Sequence, residues 1–335
     1  MALLEAKPAS STTTTSVFDV GNFKITCFTV ETTSNTSSSS STTGTGIGTS
    51  TSPPKPLFIV TPTIKGTYPI LLFLHGFYLR NTFYSQLLQH ISSHGYILVA
   101  PQLYELYKLP TSGTEEIDTA TKVTEWLLDP QGLQPLLPEN VEANLKALAL
   151  VGHSRGGKAA FSLAINDNAQ QTSARKYSVL VGIDPVAGLG KCCQTEPKIL
   201  TYEPQSFNIS IPITVIGTGL GPEKANLVFP PCAPEGVNHK EFFNECKPPC
   251  GYFVTKDYGH MDVLDDDPSG FIGKLSGCLC KNGKGSRDPM RRTVGGIVVA
   301  FIRAYLQGDK VDLIAIVDDP DLAPAKLDPV EFIKA

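Results

Sequence analysis

Residues Leu148-Ala149-Leu150-Val151-Gly152-His153-Ser154-Arg155-Gly156-Gly157 form an apolar run that feeds directly into Gly-x-Ser-x-Gly. In a nucleophile elbow a buried strand ends in a sharp turn, a helix begins at once, and the serine sits exposed at the apex in strained geometry. The flanking glycines suit such a turn, because a side chain there would collide with the neighbouring strand and helix. Gly-x-Ser-x-Gly is common by chance, so its surroundings decide the reading. Ala147–Val151 reads as a fully buried strand, and the run from Lys158 to Ile165 as the following helix, small and apolar on one side. The competing reading is a tight turn whose serine merely caps the helix.

Working outward, apolar strands alternate with helical periods. Pro56–Thr61 and Tyr68–Leu74 read as strands separated by a Lys65-Gly66 turn. Thr82–His94 has Phe83, Leu87, Leu88 and Ile91 on one helical face and stops at Gly95. Ile97–Ala100 is a strand ended by Pro101, and Glu115–Leu128 an amphipathic helix carrying the sole tryptophan, Trp126. Beyond the elbow, strands are expected at Val179–Ile183, Ile213–Ile216 and Gly251–Thr255, and a last helix at Met290–Gln307. Upstream, Val17–Thr29 has the character of an edge strand. This alternation predicts an α/β class with a mostly parallel central sheet and helices on both faces. Catalytic groups of such sheets collect beyond the carboxyl ends of the strands.

A serine hydroxyl needs a base to take its proton, and the base needs an acid to hold its tautomer. On this architecture the chain order is Ser, then Asp or Glu, then His. Asp184 directly follows the strand Val179–Ile183, at the sheet edge where the acid belongs. Its competitor Glu223 follows the next strand, the more usual position, but stands several residues into a Gly/Pro loop. Gly217-x-Gly219-x-Gly221 in that loop lacks the spacing of a dinucleotide fingerprint. His75, His90, His94 and His153 precede Asp184 and fall outside the expected order. His260 follows the last predicted strand and is the favoured base; His239 precedes it and reads as helix or cap surface. The backbone amides of Arg155 and of Phe77, after His75-Gly76, are the expected oxyanion donors. An ordinary turn is the alternative for His75-Gly76, and a turn or capping role for Asp184.

The 335 residues suffice for one large domain, and a net charge of −4 without a basic stripe excludes nucleic acid as a partner class. Hydrophobic residues make up 41% and charged residues 18%, which suits an extensive apolar interior or a greasy site. Apolar runs such as Pro69–Leu74 and Ile297–Phe301 are too short to span a bilayer, so any membrane contact is peripheral. Between Glu31 and Ser52, 16 of 22 residues are Ser or Thr, too polar to offset the entropy of ordering. The expected organisation is an N-terminal segment at 1–30, a Ser/Thr-rich linker or loop at 31–55 and a catalytic domain at 56–335. Met1–Ser16 is Ser/Thr-rich like part of a plastid transit peptide, but short and without arginine. The eight cysteines lack the paired Cys-x-x-Cys knuckles of a zinc site. One or two disulfides drawing on Cys232, Cys246 and Cys280 compete with free thiols. Asp265-Asp266-Asp267 reads as a solvated turn, and no metal is invoked.

With these residues in place, the chain resembles the plant chlorophyllases, α/β-hydrolases that cleave the phytyl ester of chlorophyll. The resemblance runs through Phe73-Leu-His-Gly76, Ser93-His-Gly95, Val99-Ala-Pro-Gln-Leu-Tyr104, Gly152-His-Ser-Arg-Gly-Gly157 and Gly182-Ile-Asp-Pro-Val-Ala-Gly188. It continues in Cys232-Ala-Pro-Glu-Gly236, Asp257-Tyr-Gly-His-Met-Asp262 and Ser286-Arg-Asp-Pro-Met-Arg-Arg292. It implies a triad of Ser154, Asp184 and His260, no cofactor, chlorophyll as substrate, chlorophyllide and phytol as products, and a role in chlorophyll breakdown. It also implies the chloroplast, with the cytosol or another endomembrane compartment as alternative. A generic carboxylesterase or lipase, or a non-catalytic binding protein on the same fold, are the competing functions.

Overall fold

The computed structural model describes residues 16–32, 52–104, 112–170, 176–270 and 279–334. The start of the chain through residue 15, the body of the Ser/Thr-rich stretch and Cys278 lie outside the described residues. The strands are β1 (Ile25–Val30), β2 (Leu57–Pro62), β3 (Gly66–Leu74), β4 (Ile97–Pro101), β5 (Val141–His153), β6 (Val179–Ile183), β7 (Ile213–Thr218), β8 (Cys250–Thr255) and β9 (Leu327–Ile333). They form one sheet in the order β1-β2-β4-β3-β5-β6-β7-β8-β9. Pairing is parallel from β4 through β3 to β8 and antiparallel at both margins.

The helices described are α1 (Ser85–Ser92), α2 (Gly113–Leu128), α3 (Arg155–Ala169), α4 (His239–Glu245), α5 (Asp288–Ile302) and α6 (Val311–Asp318). Because side chains alternate across a strand, each inner strand feeds two cores. On one face Leu72, Leu150, Leu180 and Val215 pack with Ile117 and Ala120 of α2, Phe161 of α3 and Phe242 of α4. On the other, Phe73, Val151, Val181 and Ile216 pack with Leu87 and Ile91 of α1, Val294 and Ile297 of α5 and Leu313 of α6. None of the described helices is long and apolar enough to cross a membrane.

Several boundaries differ from expectation for identifiable reasons. The N-terminal strand is confined to Ile25–Val30. Before it, Val17 and Phe18 bury themselves against α5, where Gly296 leaves room for the Phe18 ring, and the Val17 carbonyl bonds His90. Those apolar residues thus serve a helix, not the sheet. The helix expected at 82–94 begins as a 3₁₀ turn, Asn81–Tyr84, before α1. The last predicted helix ends at Ile302 and continues as a π turn, Arg303–Gln307, stopped by Gly308 in the left-handed region. Strand β9 carries no sequence expectation: Pro329 interrupts its pattern, and a proline is tolerated because β9 is an edge strand.

The sheet's register places the site. His153 pairs with Ile183, so Ser154 and Asp184 leave adjacent strands side by side. Leu74 pairs with Gly152, which sets the His75-Gly76-Phe77 loop against the elbow. Thr218 pairs with Thr255, and the chain beyond β8 returns over the same edge with His260.

Candidate functional site

The elbow is built by exclusion. Ser154 has φ 58° and ψ −126°, a conformation that costs a non-glycine residue of order 1–3 kcal/mol. The surrounding contacts tolerate no other course for the chain. A Cβ on Gly152 would strike the Gly156 carbonyl, and one on Gly156 the Leu74 carbonyl. The Ser154 amide donates to the Ile183 carbonyl at 3.0 Å, which ties the turn to β6.

At the apex, His260 Nε2 lies 2.8 Å from Ser154 Oγ, and His260 Nδ1 lies 2.6 Å from Asp184 Oδ2. Asp184, fully buried and at φ 39°, also accepts from Thr218 Oγ1 at 2.7 Å and from the Thr218 amide at 3.3 Å. Burial alone would push its carboxyl up. The hydrogen bond and charge of His260, the nearby His239 and the Thr218 hydroxyl outweigh burial and hold it below the ordinary carboxylate value. Three residues separated by 30 to 106 positions in the chain thus meet in one relay. Glu223, the competing acid, is exposed, and its backbone amide closes a turn onto Leu220.

His153, the variable residue of the motif, is a brace. It is fully buried, and burial followed by the charge of His260 lowers its pKa to about 3, so its ring is neutral. Its Nε2 faces the His260 carbonyl at 3.0 Å and must donate, because a carbonyl only accepts. Its Nδ1 therefore accepts from the Tyr84 hydroxyl at 2.7 Å, and that oxygen accepts in turn from the Gly76 amide at 3.0 Å. One chain of hydrogen bonds links the loop carrying Phe77, the elbow and the loop carrying His260. Asp262 secures the last of these by accepting from the amides of Gly259 and Gly283, at 2.7 and 2.6 Å. Sequence reasoning did not single out Tyr84 or Asp262, because each joins a near neighbour to a residue distant in the chain, His153 for Tyr84 and Gly283 for Asp262.

Phe77 follows Gly76 in the loop beyond β3, and Arg155 is the first residue of α3. Their side chains also meet, the guanidinium lying 4.5 Å from the Phe77 ring centre. Arg155 Nε donates to Glu116 Oε2 at 2.9 Å, which clamps α3 to α2 through a carboxylate only 1% exposed. Truncating one partner of such a buried pair costs about 3–5 kcal/mol.

A largely apolar cavity of about 490 Å³ opens over Ser154 and His260, walled by Phe77, Leu79, Phe229, Pro231 and Met261. Cys232 in its wall is bonded to Cys280. Of the other cysteines considered for bridging, Cys246 is a buried free thiol donating to the Phe242 carbonyl. A larger cavity of about 710 Å³ contains neither Ser154 nor His260.

Two sequence expectations are corrected. His239 is 1% exposed, the first residue of α4, with Nε2 3.9 Å from Asp184 Oδ1; it is not a surface histidine. The acidic run is not merely a solvated turn. Asp265 Oδ1 accepts the Gln86 amide at 2.8 Å, and Asp266 takes Arg291 in a two-pronged pair at 3.0 and 2.7 Å.

The profile of the chlorophyllase family matches residues 13–334. The chain belongs to the chlorophyllase family. It therefore has the α/β-hydrolase fold and is a carboxylic ester hydrolase. Chlorophyllase-1 of Arabidopsis thaliana is 51% identical over 330 residues, covering 98% of this chain and 96% of that relative. Chlorophyllase-1, chloroplastic, of Citrus sinensis is 48% identical, with 100% and 96% covered. Chlorophyllase-2 of Arabidopsis thaliana is 48% identical, with 92% and 94% covered.

Proposed function

We propose that this protein hydrolyses the phytyl ester of chlorophyll to chlorophyllide and phytol, in chlorophyll breakdown, through Ser154, His260 and Asp184. The observation that carries the reading is the unbroken relay from Ser154 Oγ through His260 to Asp184, set at the floor of an apolar cavity. His260 takes the Ser154 proton as Oγ attacks the ester carbonyl, and the amides of Phe77 and Arg155 hold the developing oxyanion. The alkoxide of phytol leaves with the proton from His260. Water, deprotonated by the same imidazole, then attacks the acyl-enzyme, and the proton returns to Ser154 as the chlorophyllide carboxylic acid departs. Asp184 keeps Nδ1 protonated throughout and stabilises the imidazolium.

The substrate follows from the names of the relatives and from the chemistry of the cavity, whose wall suits a long isoprenoid alcohol. The same reading includes the chloroplast, since the Citrus sinensis and Citrus unshiu relatives are named chloroplastic. It includes peripheral contact with a membrane through cavity-lining Leu189, 79% exposed, and through Leu227 and Val228, 99% and 80% exposed and next in the chain to cavity-lining Phe229.

Product analysis with chlorophyll tests the reading. The wild-type protein yields chlorophyllide and phytol, and Ser154→Ala loses at least ~10³-fold in kcat. Cleavage of short nitrophenyl esters with no turnover of chlorophyll would assign a general esterase instead. Unimpaired chlorophyll cleavage by Ser154→Ala would remove the serine from the mechanism.

A further inference from the structure

Asp184 lies between two histidines. Its Oδ2 takes both short hydrogen bonds, from His260 Nδ1 at 2.6 Å and from Thr218 Oγ1 at 2.7 Å. Its Oδ1 has only the longer contact with the Thr218 amide at 3.3 Å, and faces His239 Nε2 at 3.9 Å. That nitrogen makes no hydrogen bond of good geometry among the described residues, although its side chain is only 2% exposed; besides Asp184, the Thr218 backbone faces the ring as an acceptor and also favours an N–H there. A buried polar atom left this way is costly unless a nearby charge answers it.

The ring's orientation is fixed from three sides. Its Nδ1 lies 2.7 Å from the Tyr252 hydroxyl, and Tyr252 is itself stacked on Phe243 at 4.4 Å. Strand β7 makes room through Gly217, since any Cβ there would occupy the position of the His239 ring. The Asn238 side chain caps α4 by accepting the Lys240 amide, which sets His239 as the first helical residue.

The tautomer follows. Burial keeps the imidazole from protonating more than the Asp184 charge encourages it, so the ring carries one N–H. An unprotonated Nε2 would aim its lone pair at a carboxylate. With the proton on Nε2, its N–H dipole answers the Oδ1 charge 3.9 Å away, beyond hydrogen-bond length, and Nδ1 accepts from Tyr252. The titratable groups that face His239 are Asp184 from the end of β6, His260 from the loop beyond β8, Tyr252 on β8 and Lys240 beside it on α4.

We propose that His239 is a positioning residue for the ester hydrolysis: its Nε2–H braces Asp184 Oδ1, so that Oδ2 stays turned to His260, and Tyr252 holds the brace in place. The inference rests on the reading of Ser154, His260 and Asp184 as the reacting set. His239 lies at one remove from the substrate, so its loss acts on turnover and on the pH profile and spares binding.

The test compares His239→Phe, His239→Gln and Tyr252→Phe with wild type in kcat, KM and the pH profile of kcat/KM, on proteins matched in thermal midpoint. His239→Phe is expected to lower kcat by ~10-fold or more with KM within about twofold. The acid limb moves to higher pH, because a carboxylate without the His239 N–H dipole beside it holds the His260 imidazolium more firmly. His239→Gln, whose amide offers an N–H toward Oδ1, recovers most of the kcat. Tyr252→Phe keeps the aromatic stack and gives a smaller shift of the limb in the same direction, so the test stands even where His239→Phe does not fold. Wild-type kcat with an unmoved limb in Tyr252→Phe and any folded His239 variant overturns the brace, while an inert Asp184→Asn leaves the reacting set intact. Full activity of Asp184→Asn would overturn both.

Discussion

Ser154 and Asp184 hold positive φ angles of 58° and 39°, and both follow directly from paired residues on neighbouring parallel strands. Strain at two adjacent strand ends is sustained because the sheet on one side and helix α3 on the other leave no alternative path. That geometry places Asp184, the acid of the proposed triad, on the strand next to the elbow, one strand earlier than the more usual position. The choice between acids is testable. Asp184→Asn should lower kcat by ~10³–10⁴-fold, by analogy with other triads whose histidine is left in the wrong tautomer. Glu223→Gln, exposed and outside the relay, should leave kcat/KM unchanged; steady-state kinetics on the same ester decides between them. At this scale the sequence was informative wherever a residue's role depended on its immediate neighbours. The elbow serine, the strand-end aspartate and the histidine after the last parallel strand could each be singled out. His239 could not, because its partner Asp184 lies 55 positions away and its burial depends on Gly217 of yet another strand.

Helix α1 illustrates how elements are fixed from a distance. Its N-cap residue, Tyr84, makes no side-chain cap bond, and the carboxylate that serves its first turn comes from Asp265, 179 residues later. A carboxylate at a helix N-terminus is favourable, yet burial dominates here and pushes the Asp265 carboxyl up to about 6 from 3.8. The native state thus retains a proton that the unfolded chain has released between those values. Stability must fall as pH rises through that window and level off above about 6. Asp265→Asn removes the titration and keeps an acceptor for the Gln86 amide. Thermal unfolding at pH 5 and pH 7 should therefore show a larger loss of Tm in wild type than in the variant; equal losses would assign the pH dependence to other groups. Periodicity located α1, α2, α3, α5 and the inner strands, since burial on both faces writes near-continuous apolar runs for the end of β5 and for β6 to β8; it gave no expectation for α6 or for the polar first half of β5. It could not locate β9, whose inward residues pair with β8 across 77 positions between Phe253 and Val330.

At the scale of the whole molecule, the carboxyl edge of the sheet gathers the relay, the cavity and an apolar rim. Leu227 and Val228 stand nearly bare beside Phe229, which lines the cavity. Exposed apolar groups next in the chain to a cavity wall support the proposed contact with a lipid surface from which a hydrophobic ester enters. Replacing both, Leu227→Ser with Val228→Ser, should lower the fraction of protein that sediments with phosphatidylcholine vesicles and leave turnover of a soluble ester unchanged. Equal sedimentation of the two proteins would sever the rim from membrane contact. The Cys232–Cys280 bond ties this wall to the segment beyond His260, closing a 48-residue span that contains β8 and the base. Joining such a span limits the unfolded chain and is typically worth about 2–4 kcal/mol.

The amino-acid sequence by itself determined the elbow, the alternation of strands and helices that makes the sheet parallel, and the order of serine, acid and base along the chain. These depend on hydrophobic period, on glycines where backbones touch and on residues placed at strand ends, all of which are local. The tertiary structure alone decided which cysteine pairs with Cys232, how His153 and Tyr84 join three loops, and that a second histidine stands against Asp184. Those outcomes are set by which distant segments the folded sheet brings within about 4 Å of one another, and no pattern of near neighbours carries that information.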